Sequence, residues 1–339
     1  MTYALIGMRT ISGVYHHGIL PVVAFAIGWL IAEGSSDKQI RDGILALAAG
    51  FGTYATLNML VNIGNNRYRL IDFWTGTYRA ATGSGALNTL PISVTPYAVK
   101  FEKRLPVKIL FLALFFATIQ YMFMLGTRTQ FAILLLIVIL AALQFAYSEH
   151  GIAGILKCLG IMVVISLIAF LLYHFNVLSI RDYILSTNLA ARYERRASLE
   201  NSDSFRFQSF WIGLRELIQY PMGGRASQIY RHNMWLDVGR VSGIIPFCLL
   251  LIYSIKNFAN VTVIWKNPKI LPSLRYLLLL LYIGAYVNCF VEPIWEGALN
   301  FFLALCVVDG MVSAMMRRLE NDPTPEESVS DTSNLHTDL

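Results

Sequence analysis

Long apolar segments recur along almost the whole of this chain, and they leave few polar residues to cover a water-soluble surface. Hydrophobic residues make up 56% of the 339 residues and charged residues only 14%, whereas a soluble domain has about 25% charged residues. A membrane span needs roughly 20 mostly apolar residues. The chain is therefore predicted to cross a membrane many times.

The apolar segments predict an all-α fold, a polytopic helical bundle with about nine transmembrane helices. The predicted spans are approximately Gly18–Ala32, Ile44–Ile63, Gly85–Val99, Val107–Leu125, Phe131–Tyr147, Ile155–Tyr173, Val241–Ile255, Leu274–Val291 and Ala298–Met315. The third is short and contains Pro91 and Pro96. It is predicted to be broken or re-entrant, which is tolerated where such a segment is buried in protein.

The basic residues of the short loops predict the orientation, because cytoplasmic loops are enriched in lysine and arginine. Thirteen basic residues fall on one side and five on the other, so the first side is predicted to be cytoplasmic. All eight lysines fall on that side. The outer face then has only arginine, whose planar fork binds phosphate through paired hydrogen bonds. Chance or codon usage would also explain this bias.

Four regions follow from this reading. Residues 1–174 form the N-terminal transmembrane helices, 175–240 an outer loop with short helices, 241–316 the C-terminal transmembrane helices, and 317–339 a disordered cytoplasmic tail. The outer loop contains no lysine, one histidine and nine arginines, which are Arg181, Arg192, Arg195, Arg196, Arg206, Arg215, Arg225, Arg231 and Arg240. This composition predicts a site for a lipid-linked phosphate or pyrophosphate.

The net charge of +6 and the pI near 9.1 would also suit a nucleic-acid-binding protein. Basic residues in polytopic proteins usually set orientation, so nucleic acid is not expected as a partner. The four cysteines lie in or beside apolar stretches and are predicted to be small buried hydrophobic residues. No metal-ligand spacing and no outer Asp-x-Asp occurs, so neither a metal nor another cofactor is expected.

Candidate anion-binding residues lie in three of the outer segments. Arg79 stands near the mouth of a span and is followed by glycines that let backbone N–H groups approach a ligand. Arg128 lies in the tight turn Gly126–Thr129 between two apolar spans. Arg206 lies near the start of a predicted amphipathic helix, where free N–H groups favour anions. A solvated loop at Arg79 and a side chain of Arg128 that merely reaches the interface are the alternatives.

The predicted amphipathic helix has Phe207, Phe210, Trp211 and Leu214 at helical spacing, so these side chains are expected to face the membrane domain.

The fourth outer segment combines a Pro-Met-Gly-Gly turn and Arg225 with the run Tyr230–Asp237. His232 is the only histidine of the outer loop and lies between Arg231 and Asn233. A histidine titrates near neutral pH and can take a proton from a hydroxyl group. His232 is therefore a candidate base, although a lone histidine is more often structural.

Taken in order, these segments resemble the O-antigen ligases and O-antigen polymerases of bacterial envelopes. The resemblance rests on Thr127-Arg128, the Arg79…Gly83…Asn88 run, Arg206 before the Trp211 helix, the Pro-x-Gly-Gly turn, and His232-Asn233-x-x-Leu236 before Gly243. It covers roughly residues 65–315. Members of that family usually have about twelve spans, and they often have an acidic residue shortly before the glycine, where this chain has Arg240.

The resemblance implies a glycosyltransferase of the bacterial inner membrane with its active face in the periplasm. Its donor would be a glycan on undecaprenyl pyrophosphate, and its acceptor another glycan or the lipid A-core. The implied catalytic residues are His232, Arg206 and Arg128. The implied substrate-binding residues are Arg79, Arg225, Arg231 and Asn233. Membrane lipids and a chain-length regulator would be further partners.

Two other classes of function stay open. A transporter or flippase of lipid-linked glycan would place ionisable groups at mid-membrane depth and show paired repeats. The candidates for such groups are Asp309, Glu292 and Glu296, and no repeat is evident. A non-catalytic scaffold of an envelope-assembly complex would use the arginines as a surface patch.

Overall fold

The computed structural model describes residues 15–63, 69–191, 194, 202–225 and 229–321. Within this part, seven helices are long and apolar enough to cross a membrane, judged by length and composition. The chain is therefore a helical membrane protein. The described helices are α1 Leu20–Glu33, α2 Asp37–Val61, α3 Ala81–Leu87, α4 Thr89–Phe101, α5 Leu105–Leu125, α6 Arg128–His174, α7 Ile180–Ser186, α8 Ser202–Gln219, α9 Met234–Ser242, α10 Ile244–Lys266, α11 Pro272–Val291, α12 Ile294–Gly297 and α13 Leu299–Asn321.

Helix α6 contains two of the predicted spans. Gly151 within it has φ 61° and ψ −143°, outside the helical region. A Cβ atom at Gly154 would lie 2.1 Å from the carbonyl oxygen of Ala146, whereas residues eight apart in a straight helix are separated by about 12 Å. The chain therefore folds back at Gly151, and the halves of α6 correspond to the predicted fifth and sixth spans.

The third predicted span is broken at Asn88, between α3 and α4. Helix α4 has 13 residues, which gives it a length of about 20 Å, shorter than the hydrocarbon layer of about 30 Å. Every residue from Gly83 to Thr95 is buried. The surrounding helices thus enclose a segment that could not span the membrane by itself.

The seventh span differs from the prediction of Val241–Ile255. Helix α9 ends at Ser242, and α10 runs from Ile244 to Lys266. The predicted end at Ile255 was wrong because Lys256 and Asn257 interrupt the apolar pattern there. Asn257 is buried against the bundle, so the helix continues through it, and Lys256 lies within α10 rather than in a loop.

A small antiparallel hairpin departs from the all-α prediction. Strand β1 is Arg69–Ile71 and strand β2 is Tyr78–Ala80, with Leu70 opposite Arg79. The end of α2 holds this hairpin, since Asn62 exchanges two hydrogen bonds with the backbone of Ile71 and Asn58 accepts one from the N–H of Phe73. The hairpin is thereby attached to the mouth of the bundle.

The two ends of the bundle differ in their basic residues. One end, here the lysine end, carries Lys38, Lys100, Lys103, Lys266 and Lys269 at helix termini and in connections, and ion pairs such as Lys100–Glu149 and Arg317–Glu33 join its elements. The other end, here the arginine end, carries Arg128, Arg225, Arg231 and Arg240. The named lysines and the named arginines thus lie at opposite ends, and which end faces the cytoplasm stays a prediction.

Helices α1 and α13 pack closely through glycines. A Cβ atom at Gly28 would lie 1.9 Å from the carbonyl oxygen of Val307, and one at Gly310 would lie 2.1 Å from that of Phe25. Small residues allow two membrane helices to approach at backbone distance. The core of the described bundle is built around this pair together with α4 and α11.

We predict that Gly310→Ala lowers the melting temperature of the purified protein in detergent, because the added methyl group must separate α13 from α1. Overpacking of this kind costs about 1–3 kcal/mol. Gly50 in α2 is the matched control, since nothing lies within 4 Å of its Cβ position. Gly50→Ala should leave the melting temperature unchanged or raise it. Equal losses in both variants would contradict the close packing.

Candidate functional site

The C-terminal end of α11 joins two of the predicted site segments. The Asn233 side-chain amide donates a hydrogen bond of 3.1 Å to the carbonyl oxygen of Phe290. Two residues further on, the Thr129 hydroxyl donates a short hydrogen bond to the buried carboxylate of Glu292. The turn that carries Arg128 and the loop that carries His232 therefore meet at the same helix end.

His232 is held in a conformation that is uncommon for its residue type. Its φ is 54°, in the left-handed region, which costs about 1–2 kcal/mol for a residue other than glycine. Its neighbours stabilise this conformation from both sides. The N–H of Arg231 donates to the carboxylate of Asp237 over 2.5 Å, and the Asn233 side chain caps α9 by accepting from the N–H of Leu236.

The His232 ring lies edge-on to Tyr230, with 4.8 Å between ring centroids, and it borders a cavity. This cavity, here the histidine cavity, has a volume of about 510 Å³. Its lining residues are Phe207, Phe210, Arg231, His232, Asn233, Phe290 and Val291. The imidazole ring of His232, whose backbone conformation is fixed, thus borders a space large enough for part of a ligand.

An apolar groove adjoins the histidine cavity. The groove has a volume of about 550 Å³ and lies between α8, α9, α10 and α11. It shares Phe210, Asn233 and Phe290 with the histidine cavity, and Phe247 and Phe258 lie further along it. The cavity beside His232 and the apolar groove are therefore neighbours at the arginine end.

Helix α8 contributes to both spaces, but not with the whole predicted face. Phe210 and Leu214 line the apolar groove and Phe207 lines the histidine cavity, whereas Trp211 lines neither space and is 54% exposed. The face that packs on the protein is instead formed by Ser209, Gly213, Glu216 and Leu217. The prediction was partly wrong because small and charged residues provide this contact, and an apolar-spacing pattern does not count them.

The guanidinium group of Arg231 is bound within the protein. It donates hydrogen bonds of 3.0 and 2.7 Å to the two carboxylate oxygens of Glu216, and both side chains are buried. Paired geometry of this kind satisfies both charges. Arg231 therefore anchors the loop to α8, and its contribution at the site is to hold His232 rather than to offer its fork to a ligand.

Arg225 is more open than Arg231. Its guanidinium lies 3.8 Å from Glu216 and 4.4 Å above the ring of Tyr220. Its Nε is buried and has no hydrogen-bond partner among the described residues.

The Pro-Met-Gly-Gly turn is attached to the junction between α9 and α10. The N–H of Ile244 donates to the carbonyl of Pro221 over 2.8 Å, and that of Gly224 to the carbonyl of Val241 over 3.0 Å. Gly223 and Gly243 have φ values of 75° and 95°, and a Cβ on either would collide with the other segment. The Pro-Met-Gly-Gly turn and the segment around Gly243, both noted in the sequence, therefore pack directly against each other.

Arg240, whose role the sequence left open, belongs to a buried charge cluster. Its side chain lies 3.6 Å from Asp237, is paired with Glu296, and donates to the carbonyl oxygen of Arg225 over 2.6 Å. Burial raises the pKa of Asp237 to about 6, and burial likewise raises the pKa of Glu296. Glu216 and Asp237 were missed as site residues, and Glu292 and Glu296 were considered only as candidates for a transporter. Their only sequence signal was their occurrence beside outer arginines and at span ends.

Arg128 begins α6 two residues after the left-handed Gly126, with Thr127 as the N-cap between them. Below it, buried polar side chains connect α6, α11 and α4, because Gln130 donates to Asn288 over 3.4 Å and Asn288 donates to Thr89 over 3.0 Å. Such a network holds the start of α6 in a defined position.

For Arg79 and Arg206 the structure describes the backbone but not the side chain. Arg79 lies in β2, directly before α3, and α3 contacts α12, where a Cβ on Gly83 would lie 2.2 Å from the carbonyl oxygen of Gly297. Arg206 lies in the second turn of α8. Both backbones are thus at the arginine end.

No group of three or more histidine, cysteine or acidic side chains that could hold a metal ion occurs among the described residues. Compared with known proteins, the chain matches no family model, and no curated protein matches it significantly. The function is therefore inferred from the arrangement of residues at the arginine end.

We predict that Asp237→Asn removes a pH dependence of stability. The ordinary pKa of this carboxyl is 3.8, and in the fold it is about 6. The folded state prefers the protonated form, so stability from this group is greatest below pH 4 and falls as the pH rises through about 6. Melting temperatures in detergent should therefore decline less between these values in the variant than in the wild type. Parallel curves would contradict this assignment.

Proposed function

We propose that this protein is a membrane glycosyltransferase that acts at the arginine end of the bundle. Its donor is a glycan carried on a polyprenyl pyrophosphate, and its acceptor is a hydroxyl group of a second sugar. The observation that carries this proposal is the position of His232, fixed beside a cavity that adjoins an apolar groove at the arginine end. A lipid-linked pyrophosphate needs a base near its reacting group, an apolar surface for its lipid and positive charge for its phosphates.

The proposed reaction is a direct displacement at the anomeric carbon. The acceptor oxygen attacks that carbon while the bond from the carbon to the pyrophosphate oxygen breaks, and the configuration inverts. His232 takes the proton of the acceptor hydroxyl as the general base. The pyrophosphate leaves with the bonding electron pair and gains negative charge.

The arginines supply positive charge where the leaving group develops its own. Donors that are already in place stabilise such charge efficiently because they need no reorganisation during the reaction. We assign this role to Arg128, Arg206, Arg79 and Arg225. Arg231 and Asn233 act indirectly, since the first is bound to Glu216 and the second caps α9, and together they hold His232.

The resemblance to O-antigen ligases and polymerases supports the same reaction class. Under that reading, the protein lies in a bacterial inner membrane with the arginine end in the periplasm. The acceptor is a second lipid-linked repeat in a polymerase and the lipid A-core in a ligase. A chain-length regulator would be a partner in the first case.

Asp309 supports a transporter as the second candidate, because it is an ionisable residue near the middle of α13. It is fully buried and accepts hydrogen bonds from Tyr282 over 2.5 Å and from Tyr253 over 2.7 Å. These bonds join α10, α11 and α13, and a structural tie explains the residue without transport. If transport were the function, Asp309→Asn would abolish it while His232 substitutions would not.

The proposed function is tested by complementing a deletion strain and displaying its surface polysaccharide on a gel. We predict that wild type restores long glycan and that His232→Asn does not. Asparagine tolerates the left-handed backbone but cannot act as the base, so this variant separates chemistry from backbone strain. His174→Asn at the exposed end of α6 is the matched control and should complement fully.

A second part of the complementation test compares Arg206→Ala with Arg181→Ala. Arg181 is an exposed arginine of the same loop whose side chain lies 3.9 Å from Asp182, and its loss should have no effect. Removing one donor that stabilises a leaving group costs roughly 100-fold or more in rate. Normal glycan in both His232→Asn and Arg206→Ala cells, at wild-type protein levels, would refute the proposed function. Core with one repeat in the deletion strain indicates a polymerase, and bare core with accumulated lipid-linked polymer indicates a ligase.

A further inference from the structure

A second cavity lies at the lysine end, on the side of the bundle opposite the proposed active site. This cavity, here the lysine-end cavity, has a volume of about 640 Å³. Its lining residues are Lys38, Arg41, Asp42, Phe101, Glu102, Lys103, Arg104, Leu271, Pro272 and Ser273. Three separate parts of the chain form it, namely the start of α2, the connection from α4 to α5 and the start of α11.

The carboxylates of the cavity are already bound by its arginines. Asp42 accepts two hydrogen bonds from Arg41, of 2.9 and 2.7 Å, and one of 3.1 Å from Arg104. Glu102 accepts two from the Arg104 guanidinium, of 3.0 and 2.7 Å. The Arg104 guanidinium lowers the pKa of Glu102 to about 2. These four charges therefore remain ionised and cancel one another at neutral pH.

Two positive charges remain in the cavity. Lys38 and Lys103 are exposed and form no ion pair with any described carboxylate. The nearest acidic neighbour of Lys38 in sequence is Asp37, whose side chain instead accepts from the N–H of Leu271 over 3.1 Å and pairs with Arg318. The cavity thus has a net charge of +2 that no carboxylate of the described residues neutralises.

The position of the lysine-end cavity indicates where its ligand comes from. Helices α2, α5 and α11 are all candidate membrane spans, and the cavity lies at their ends, which is the depth of lipid headgroups. Phe101, Leu271 and Pro272 provide an apolar wall beside the lysines. Basic pockets between membrane helices bind anionic headgroups in this way, whereas a soluble phosphate would gain nothing from the apolar wall.

We propose that the lysine-end cavity binds the headgroup phosphate of an anionic phospholipid, with Lys38 and Lys103 as its charged ligands. The phosphate neutralises the remaining charge, and the first part of an acyl chain covers the apolar wall. Because the cavity joins α2, α5 and α11, the bound lipid stabilises the packing of these helices. This proposal does not depend on the proposed glycosyltransferase activity.

The test measures thermal unfolding of the full-length protein in mixed micelles that contain phosphatidylglycerol or, as the neutral probe, phosphatidylcholine. We expect phosphatidylglycerol to raise the melting temperature of the wild type and phosphatidylcholine to leave it unchanged. In K38Q/K103Q, the phosphatidylglycerol concentration for half of the effect should rise about 10-fold or more, given that each lysine near an anionic lipid contributes an appreciable share of its binding.

The matched control is K157Q/K266Q, which removes the same charge from exposed lysines outside the cavity. It should respond to phosphatidylglycerol as the wild type does. An equal loss of response in both double variants would overturn the proposal, because it would show attraction to net charge alone. An effect of inorganic phosphate or glycerol phosphate as large as that of the lipid would also overturn it, because the ligand would then be a soluble anion.

Discussion

The arginine end depends on buried pairs between arginines and carboxylates. Glu216 holds Arg231, and Asp237 and Glu296 hold Arg240. Removing a charge from water costs several kcal/mol, so a buried arginine without its partner is strongly destabilising. The pairs therefore require α8, α9 and α12 to meet in one arrangement. Arg231 and Arg240 are thus bound within the protein, and in the proposed function they shape the site while other arginines bind the ligand.

The helical membrane fold could be predicted from the sequence because the apolar length of a span is a local property. The break within the third span was indicated locally by Pro91, which lies in the first turn of α4, whereas Pro96 lies inside α4 without ending it. The helix α10 was predicted too short, since Asn257 is buried by packing that no single segment reveals. For the site, the sequence indicated His232, but not that Arg231 binds Glu216 fifteen residues away. Such pairings arise from tertiary structure, and charge counts along the chain do not show them.

The arginines at the two ends of the bundle are paired with carboxylates in different ways. At the arginine end, carboxylates from distant elements bind individual guanidinium groups in buried positions, which fixes the backbone around His232. At the lysine end, Arg41 and Arg104 share Asp42 at a partly exposed surface, where ion pairs add little stability. The first arrangement creates a shaped site with few free charges. The arrangement at the lysine end leaves Lys38 and Lys103 exposed and without an ionic partner among the described residues. Such charges suit a headgroup rather than a precisely placed substrate.

Helix α11 links the two ends. Its first residues line the lysine-end cavity, and its last residues accept the hydrogen bonds of Asn233 and Thr129. Between them, Asn288 is fully buried and connects the helix to α4 and α6. A helix with so many buried contacts cannot shift at one end without disturbing the core. The position of His232 therefore depends on packing along the whole length of α11, including the lysine end, where we place the lipid.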